Sequence, residues 1–272
     1  MKNTGIELAL DFEGMTTEAG LALMDIFLKN SFVSKPDGLC FEFGTYKGRT
    51  AALIANRLTD VNWLHVIDNS NHPEIDKLLS ISSRVTWHKK KSEVFCREEL
   101  LDVVEDRQVS YSHHDASHFF NNVHTELSLL VPHMATEGIM VLDDFTDSFS
   151  QVRAAYYHLR YTESFPFELL AIGYNKAILV HQSMFDYYEN YIIHSFLADM
   201  RAYDLDCQLC RSDINKFSRG FFVKNKPSAS APDFYSFILP GLDAFYGSSN
   251  EYLSSRELGV WDKFVSCPKK YF

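Results

Sequence analysis

The residues able to do chemistry fall into three groups: Glu42-x-Gly44-x-x-x-Gly48-x-Thr50, then Asp68, then Asp115-Ala116-Ser117-His118 together with Asp143-Asp144. Glycine at 44 and 48 lets a backbone turn sharply and approach a bound ligand closely, because no Cβ obstructs it. A helix starting just after such a turn aims its free N–H groups back at it. The carboxylate of Glu42 has the wrong sign for cradling phosphates and the right one for a ligand carrying hydroxyls or positive charge. Three residues separate Gly44 from Gly48 and Arg49 follows, which excludes the G-x-x-x-x-G-K-[ST] loop. Glu42 stands where G-x-G-x-x-G needs its first glycine, which excludes that motif too. An acid ending the second strand of an open sheet accepts hydrogen bonds from ribose hydroxyls, and Asp68 is placed to be that acid.

Asp115 and the pair Asp143-Asp144 should end neighbouring strands and converge beside the same ligand. Three carboxylates together repel unless a cation or a shared proton compensates them. Oxygen-only ligands suit a hard ion such as Mg²⁺, with water or substrate filling the other positions. The competing reading is that these acids contact the cofactor or substrate directly. His118 is a candidate general base, since imidazole titrates near neutrality; it could equally be a helix-start histidine making a structural hydrogen bond. His113 and His114 should point to opposite faces of a strand, which argues against zinc there.

The elements that position these residues alternate along the chain. Residues 16–29 read as an amphipathic helix and 39–43 as the first strand, followed by a crossover helix over 47–58. Strands are expected at 62–67, 84–88, 109–114 and 139–142, with helices at 74–79, 93–104, 119–130 and 150–161 between and after them. Thr136-Glu137-Gly138 reads as the turn into the fifth strand. Residues 167–172 and 177–181, joined by Gly173-Tyr174-Asn175-Lys176, read as a hairpin. The expectation is an α/β fold: a doubly wound, mostly parallel seven-stranded sheet closed by an antiparallel hairpin. Residues 1–183 would form this domain, and 184–272 a helical or irregular C-terminal appendage serving as lid or oligomerisation element. Within it, 185–200 reads as helix and 224–232 as loop.

Composition bounds the partners. The chain has 272 residues, long enough for one large domain with an appendage, and a formal net charge of -10, a field that repels nucleic acid and anionic membranes. No run approaches the length of a membrane span, and residues 1–14 carry Glu7, Asp11 and Glu13 without the apolar core of a signal peptide. A cytoplasmic protein with a small-molecule acceptor, no nucleic-acid or membrane partner and possible homo-oligomerisation is expected. The five cysteines are too sparse for a disulfide scaffold. Cys207-Gln208-Leu209-Cys210 lacks a second ligand pair and reads as two helical or loop thiols.

The E-x-G-x-x-x-G turn with Asp68 and the closing hairpin resembles the class I S-adenosylmethionine-dependent methyltransferases. D-A-S-H, the helix after it and the V-L-D-D strand ending narrow the resemblance to the macrocin O-methyltransferase and cephalosporin-hydroxylase-like branch, over roughly residues 38–181. The resemblance implies a Rossmann-like methyltransferase fold and S-adenosyl-L-methionine as cofactor. It places Glu42, Phe43, Gly44, Thr45, Tyr46, Gly48 and Thr50 at the methionine and ribose part, Asp68 and Asn69 at the ribose hydroxyls, and Ser92 near the adenine. Asp115 would border the cofactor. Asp115, Asp143 and Asp144 would hold Mg²⁺, with His118, Asp115 and Asp144 as catalytic groups. Some members carry a histidine just after the paired acids, where this chain has Phe145, Thr146 and Asp147; His118 is the natural substitute. The implied activity is O-methylation of a small-molecule or sugar hydroxyl. The alternatives are a role associated with hydroxylation, or a non-catalytic protein that binds cofactor or a partner.

Overall fold

A computed structural model describes residues 4–34, 37–211 and 220–225. The apolar run Leu39–Phe43 forms β1, buried along its whole length. Beside it on one side lie β2 (Trp63–Ile67) and β3 (Val85–His88), and on the other β4 (Val109–His114) and β5 (Met134–Leu142), all parallel. β6 (Phe167–Gly173) and β7 (Lys176–His181) form the hairpin, with β7 inserted antiparallel between β5 and β6. Tyr174 and Asn175 both adopt positive φ, 53° and 69°, the backbone that a two-residue hairpin turn requires.

The parallel sheet and its closing hairpin are as expected, and the strand count is corrected. The sheet has nine strands among the described residues, in the order β3-β2-β1-β4-β5-β7-β6-β9-β8. β9 (Phe221–Asn225) runs parallel to β6 and β8 (Cys207–Arg211) antiparallel to β9. The C-x-x-C pair thus lies on a strand rather than in a helix or loop, with Cys207 Sγ 2.9 Å from the Tyr174 hydroxyl. Lys224 and Asn225, read as loop, end β9; the rest of that loop and residues 233–272 lie outside the described residues.

Helices cover both faces, and each face carries its own apolar core. On one side are α1 (Thr4–Leu10), α2 (Glu18–Ser34), α3 (Arg49–Ala55), α4 (Ile75–Ile81), α9 (Phe185–Tyr191) and α10 (Leu197–Arg201). On the other are α5 (Ser92–Glu98), α6 (Leu100–Val104), α7 (Phe120–Leu130) and α8 (Ser150–Thr162). α2 outruns its expected end by five residues because Phe32 packs onto the core. The single helix expected over 93–104 breaks at Glu99 into α5 and α6. Residues 192–196 form one π turn joining α9 to α10. The expected turn at 136–138 is part of β5, whose pairing with β4 slips between Val109 and Tyr111 to absorb it. No helix among the described residues is long and apolar enough to cross a membrane.

Candidate active site

A cavity of about 850 Å³ opens at the C-terminal ends of the parallel strands, within the size range of small-molecule sites. Its floor is the turn after β1. Gly44 has φ 77° and Gly48 φ 114°. A Cβ on Gly44 would lie 2.3 Å from the Asp115 carbonyl oxygen, so this glycine first serves the close approach of the chain leaving β4. The turn is also held by Asp68, whose Oδ2 accepts from the Thr45 and Tyr46 N–H groups at 3.0 and 3.1 Å, while Oδ1 accepts from Ser70 N–H at 2.8 Å. Burial pushes the Asp68 carboxyl up, but those bonds, from Ser70 above all, hold it below the ordinary range. Two oxygens offer about four lone-pair sites, so Asp68 can shape the turn and still accept from a ligand on the cavity wall.

Of the expected cofactor residues, Gly44, Tyr46, Asp68, Asn69, Ser92 and Asp115 line this cavity. Glu42, Phe43, Thr45, Gly48 and Thr50 do not. The Ser92 hydroxyl is committed to the buried Glu126 carboxylate, which also takes His114 Nδ1 at 3.1 Å. Glu42 is fully buried rather than facing the ligand, where its place in the motif put it. β1 continues through Phe43, so Glu42 still obeys strand alternation and turns under α3, where it accepts from Thr50 Oγ1 and pairs with His113 Nδ1 at 3.0 Å.

That pair starts a row of charges along one face of the sheet. Glu42 on β1 is in register with His113 on β4, Asp143 follows β5, and Lys176 opens β7. His113 Nε2 lies 3.7 Å from Asp143 Oδ2, and the buried Lys176 Nζ donates to the same oxygen at 2.5 Å. Two acids alternate with two bases, so the row is neutral in sum. Burial pulls the His113 imidazole down, but the Glu42 charge and the Asp143 contact raise it to about 9. Burial pushes Asp143 up, and His113 and Lys176 more than reverse that, holding it far below the carboxylate range. None of this pairing was legible beforehand: Lys176 reads as part of the hairpin turn.

Next to the row, facing the cavity, stand Asp115, His118 and Asp144. His118 Nε2 is 3.4 Å from Asp115 Oδ1 and 3.4 Å from Asp144 Oδ2, buried yet without a well-formed hydrogen bond to either. Contact with Asp115 raises the imidazole above its ordinary value, against burial and with help from Asp144. Burial pushes the Asp115 carboxyl up to about 6, opposed by His118. Burial and the Asp143 charge also raise Asp144. Phe149 packs edge-on against the His118 ring at 4.5 Å and restricts its tilt. Asp144 sits at φ 51°, a strained backbone for a residue with a Cβ, held by its own N–H to Asp143 Oδ1 at 2.8 Å.

The expected trio Asp115, Asp143 and Asp144 is not what converges. Among the described residues two overlapping groups form: His113, Asp115 and Asp143, and Asp115, His118 and Asp144. Asp143 has its charge answered by Lys176 and His113, so a magnesium site built on three carboxylates does not fit it. Asp115 and Asp144 are the carboxylates open to the cavity.

Residues 41–145 match the model of a family described as a methyltransferase domain. No curated protein matches the chain. Among solved structures, a Corynebacterium glutamicum protein is 14% identical with a TM-score of 0.50, covering 66% of this chain and 90% of its own. Rv0187 from MTB, solved with cofactor bound, is 10% identical with a TM-score of 0.50, covering 66% and 91%. An O-methyltransferase from Bacillus cereus in complex with SAH is 13% identical with a TM-score of 0.48, covering 66% and 92%.

Proposed function

We propose that this chain, whose residues 41–145 match a methyltransferase-domain family, is a class I S-adenosylmethionine-dependent methyltransferase that methylates a hydroxyl oxygen of a small-molecule or sugar acceptor. The observation that carries the reading is His118 poised between Asp115 and Asp144 on the wall of a cavity whose floor is the Gly44 turn and Asp68. When bound, S-adenosylmethionine supplies an electrophilic methyl group on a sulfonium sulfur.

The chain's own residues supply position and proton transfer. Gly44 and Asp68 shape the floor, and Asp68 takes ligand hydroxyls with its spare lone pairs. Neutral His118 receives the acceptor's proton at Nε2, and the two carboxylates beside it stabilise the imidazolium that results. Holding donor and acceptor in line contributes much of the rate. A divalent ion enters this proposal only at Asp115 and Asp144, where it would lower the pKa of a coordinated hydroxyl. The formal charge of -10 and the buried thiols of Cys40 and Cys96 support a cytoplasmic enzyme acting on small molecules, not nucleic acid.

Calorimetry with S-adenosylmethionine and S-adenosylhomocysteine tests the donor half, and binding of neither at millimolar concentration would sink the proposal. Transfer of labelled methyl to a panel of sugar and phenolic hydroxyls, with and without EDTA and added Mg²⁺, tests the acceptor and the ion. Product methylated on carbon or nitrogen alone would refute the oxygen assignment.

A further inference from the structure

Where α7 packs against α8, away from the residues that carry the chemistry above, three ligand-type side chains converge. His124 lies on α7, His158 on α8, and Glu163 caps the C-terminal end of α8. One ring nitrogen of each histidine and a Glu163 carboxylate oxygen can be chosen so that all lie within 4.8 Å of one another. Glu163 Oε1 is 3.0 Å from His124 Nε2 and 3.7 Å from His158 Nε2. Tetrahedral zinc, with bonds of about 2.0–2.2 Å, spaces its ligand atoms about 3.3 Å apart, and these two distances bracket that value.

We propose that His124, His158 and Glu163 form a surface zinc(II) site with water in the fourth position. Two imidazoles and one carboxylate are the donor set of a borderline divalent ion, whereas Mg²⁺ and Ca²⁺ take oxygen. The rings are already oriented. Phe120 stacks on His124 at 5.6 Å and meets His158 edge-on at 5.6 Å. Ser128 Oγ lies 3.4 Å from His124 Nδ1, so that nitrogen can donate its proton to the hydroxyl and leave Nε2 as the ligand atom. The C-terminal end of α8 also favours a cation through its backbone carbonyls. Without an ion, a half-exposed His–Glu contact of this kind contributes little to stability.

Zinc here would tie α7 to α8. Both helices begin at the cavity, directly after Phe119 and Phe149, two of its wall residues. The ion would therefore brace the acceptor wall without touching it.

The test is zinc titration of the full chain against a chromophoric zinc indicator, for wild type, His158→Ala and Glu163→Gln. One equivalent should bind to wild type, and each variant should bind it at least about tenfold more weakly. Zinc should raise the melting temperature of wild type and raise it less in both variants. Zinc held instead by Asp115, His118 and Asp144 would survive both substitutions unchanged, and unchanged affinity and stoichiometry would overturn the proposal. Circular dichroism verifies folding; should His158→Ala misfold, the isosteric Glu163→Gln carries the test alone.

Discussion

Replacing Lys176 by Met should cost this protein more stability than most single substitutions, because it removes one of two positive charges from a buried, neutral row. In wild type two acids, Glu42 and Asp143, face two bases, His113 and Lys176. After Lys176→Met two acids face one base, leaving a net charge of −1 in a region where the Lys176 side chain is 1% exposed and that of Asp143 10%. Breaking a buried pair by removing one partner costs about 3–5 kcal/mol. The slight exposure of Asp143 places the expectation near the lower end. At about 2–4 °C per kcal/mol for a chain of this size, a loss of about 3 kcal/mol should lower the melting temperature by roughly 6–12 °C. The assay is urea and thermal unfolding of four proteins: wild type, Lys176→Met, Asp143→Asn and the double variant. If the row is what is broken, the double variant should be less destabilised than the sum of the singles, by more than about 1 kcal/mol. A loss below about 1 kcal/mol for Lys176→Met, or additive single effects, would refute the reasoning.

Three further outcomes follow from the geometry. His118→Ala should lower kcat by about 10²–10⁴-fold while calorimetry shows donor affinity unchanged, since in the proposed reaction His118 contributes proton transfer rather than donor contact; equal kcat would remove it as the base. Gly44→Ala forces a Cβ within 2.3 Å of the Asp115 carbonyl at φ 77°, so it should cost about 1–3 kcal/mol in strain alone and weaken donor binding, read by thermal melts and calorimetry; wild-type values in both would contradict the packing described. Asp25, buried in α2, is pushed up by burial but held below the carboxylate range by Arg57 at 2.6 and 2.8 Å and by Tyr203. Because its folded pKa is depressed, the stability it adds is present above about pH 4 and lost as pH falls through the folded value; Asp25→Asn should be less stable at neutral pH and show a flatter acid limb in a melting-temperature profile, and parallel profiles would count against the linkage.

What could be read from sequence was local. An apolar run followed by glycines announced β1 and its turn, and the alternation of periods announced the parallel sheet. Tyr174-Asn175 between two apolar runs announced the hairpin. Even the convergence of Asp115 with Asp144 follows from topology, because neighbouring strands end at one edge. Register was not legible. Glu42 was taken to face the ligand because the motif suggests it, yet as a residue of β1 its side chain alternates into the core and meets Thr50 and His113. Lys176 and Glu126 are charged residues in a turn and a helix, where the default is a solvated side chain; their burial depends on partners brought alongside from elsewhere in the chain. β8 and β9 are short and carry little apolar alternation, and β8 contains a cysteine pair that drew attention to thiol chemistry instead.

The two sides of the cavity are fixed by different means, and this decides how each responds to change. The proposed donor side is backbone: a positive-φ glycine pressed against the Asp115 carbonyl, and amide N–H groups gathered by Asp68. Substitutions there disturb chain geometry, so donor binding and stability should fall together. The proposed acceptor side is charge: His118 between two carboxylates, with Asp144 held in a strained conformation by Asp143, and Asp143 held by Lys176 and His113. Removing the His118 side chain leaves that backbone intact and should change turnover at nearly constant stability. Lys176 is where the two regimes meet, because it supports Asp144 only through Asp143 and stands in the hairpin that closes the sheet. Its loss should therefore lower stability and kcat together while sparing donor affinity, a combination that neither a simple core defect nor a simple catalytic defect produces.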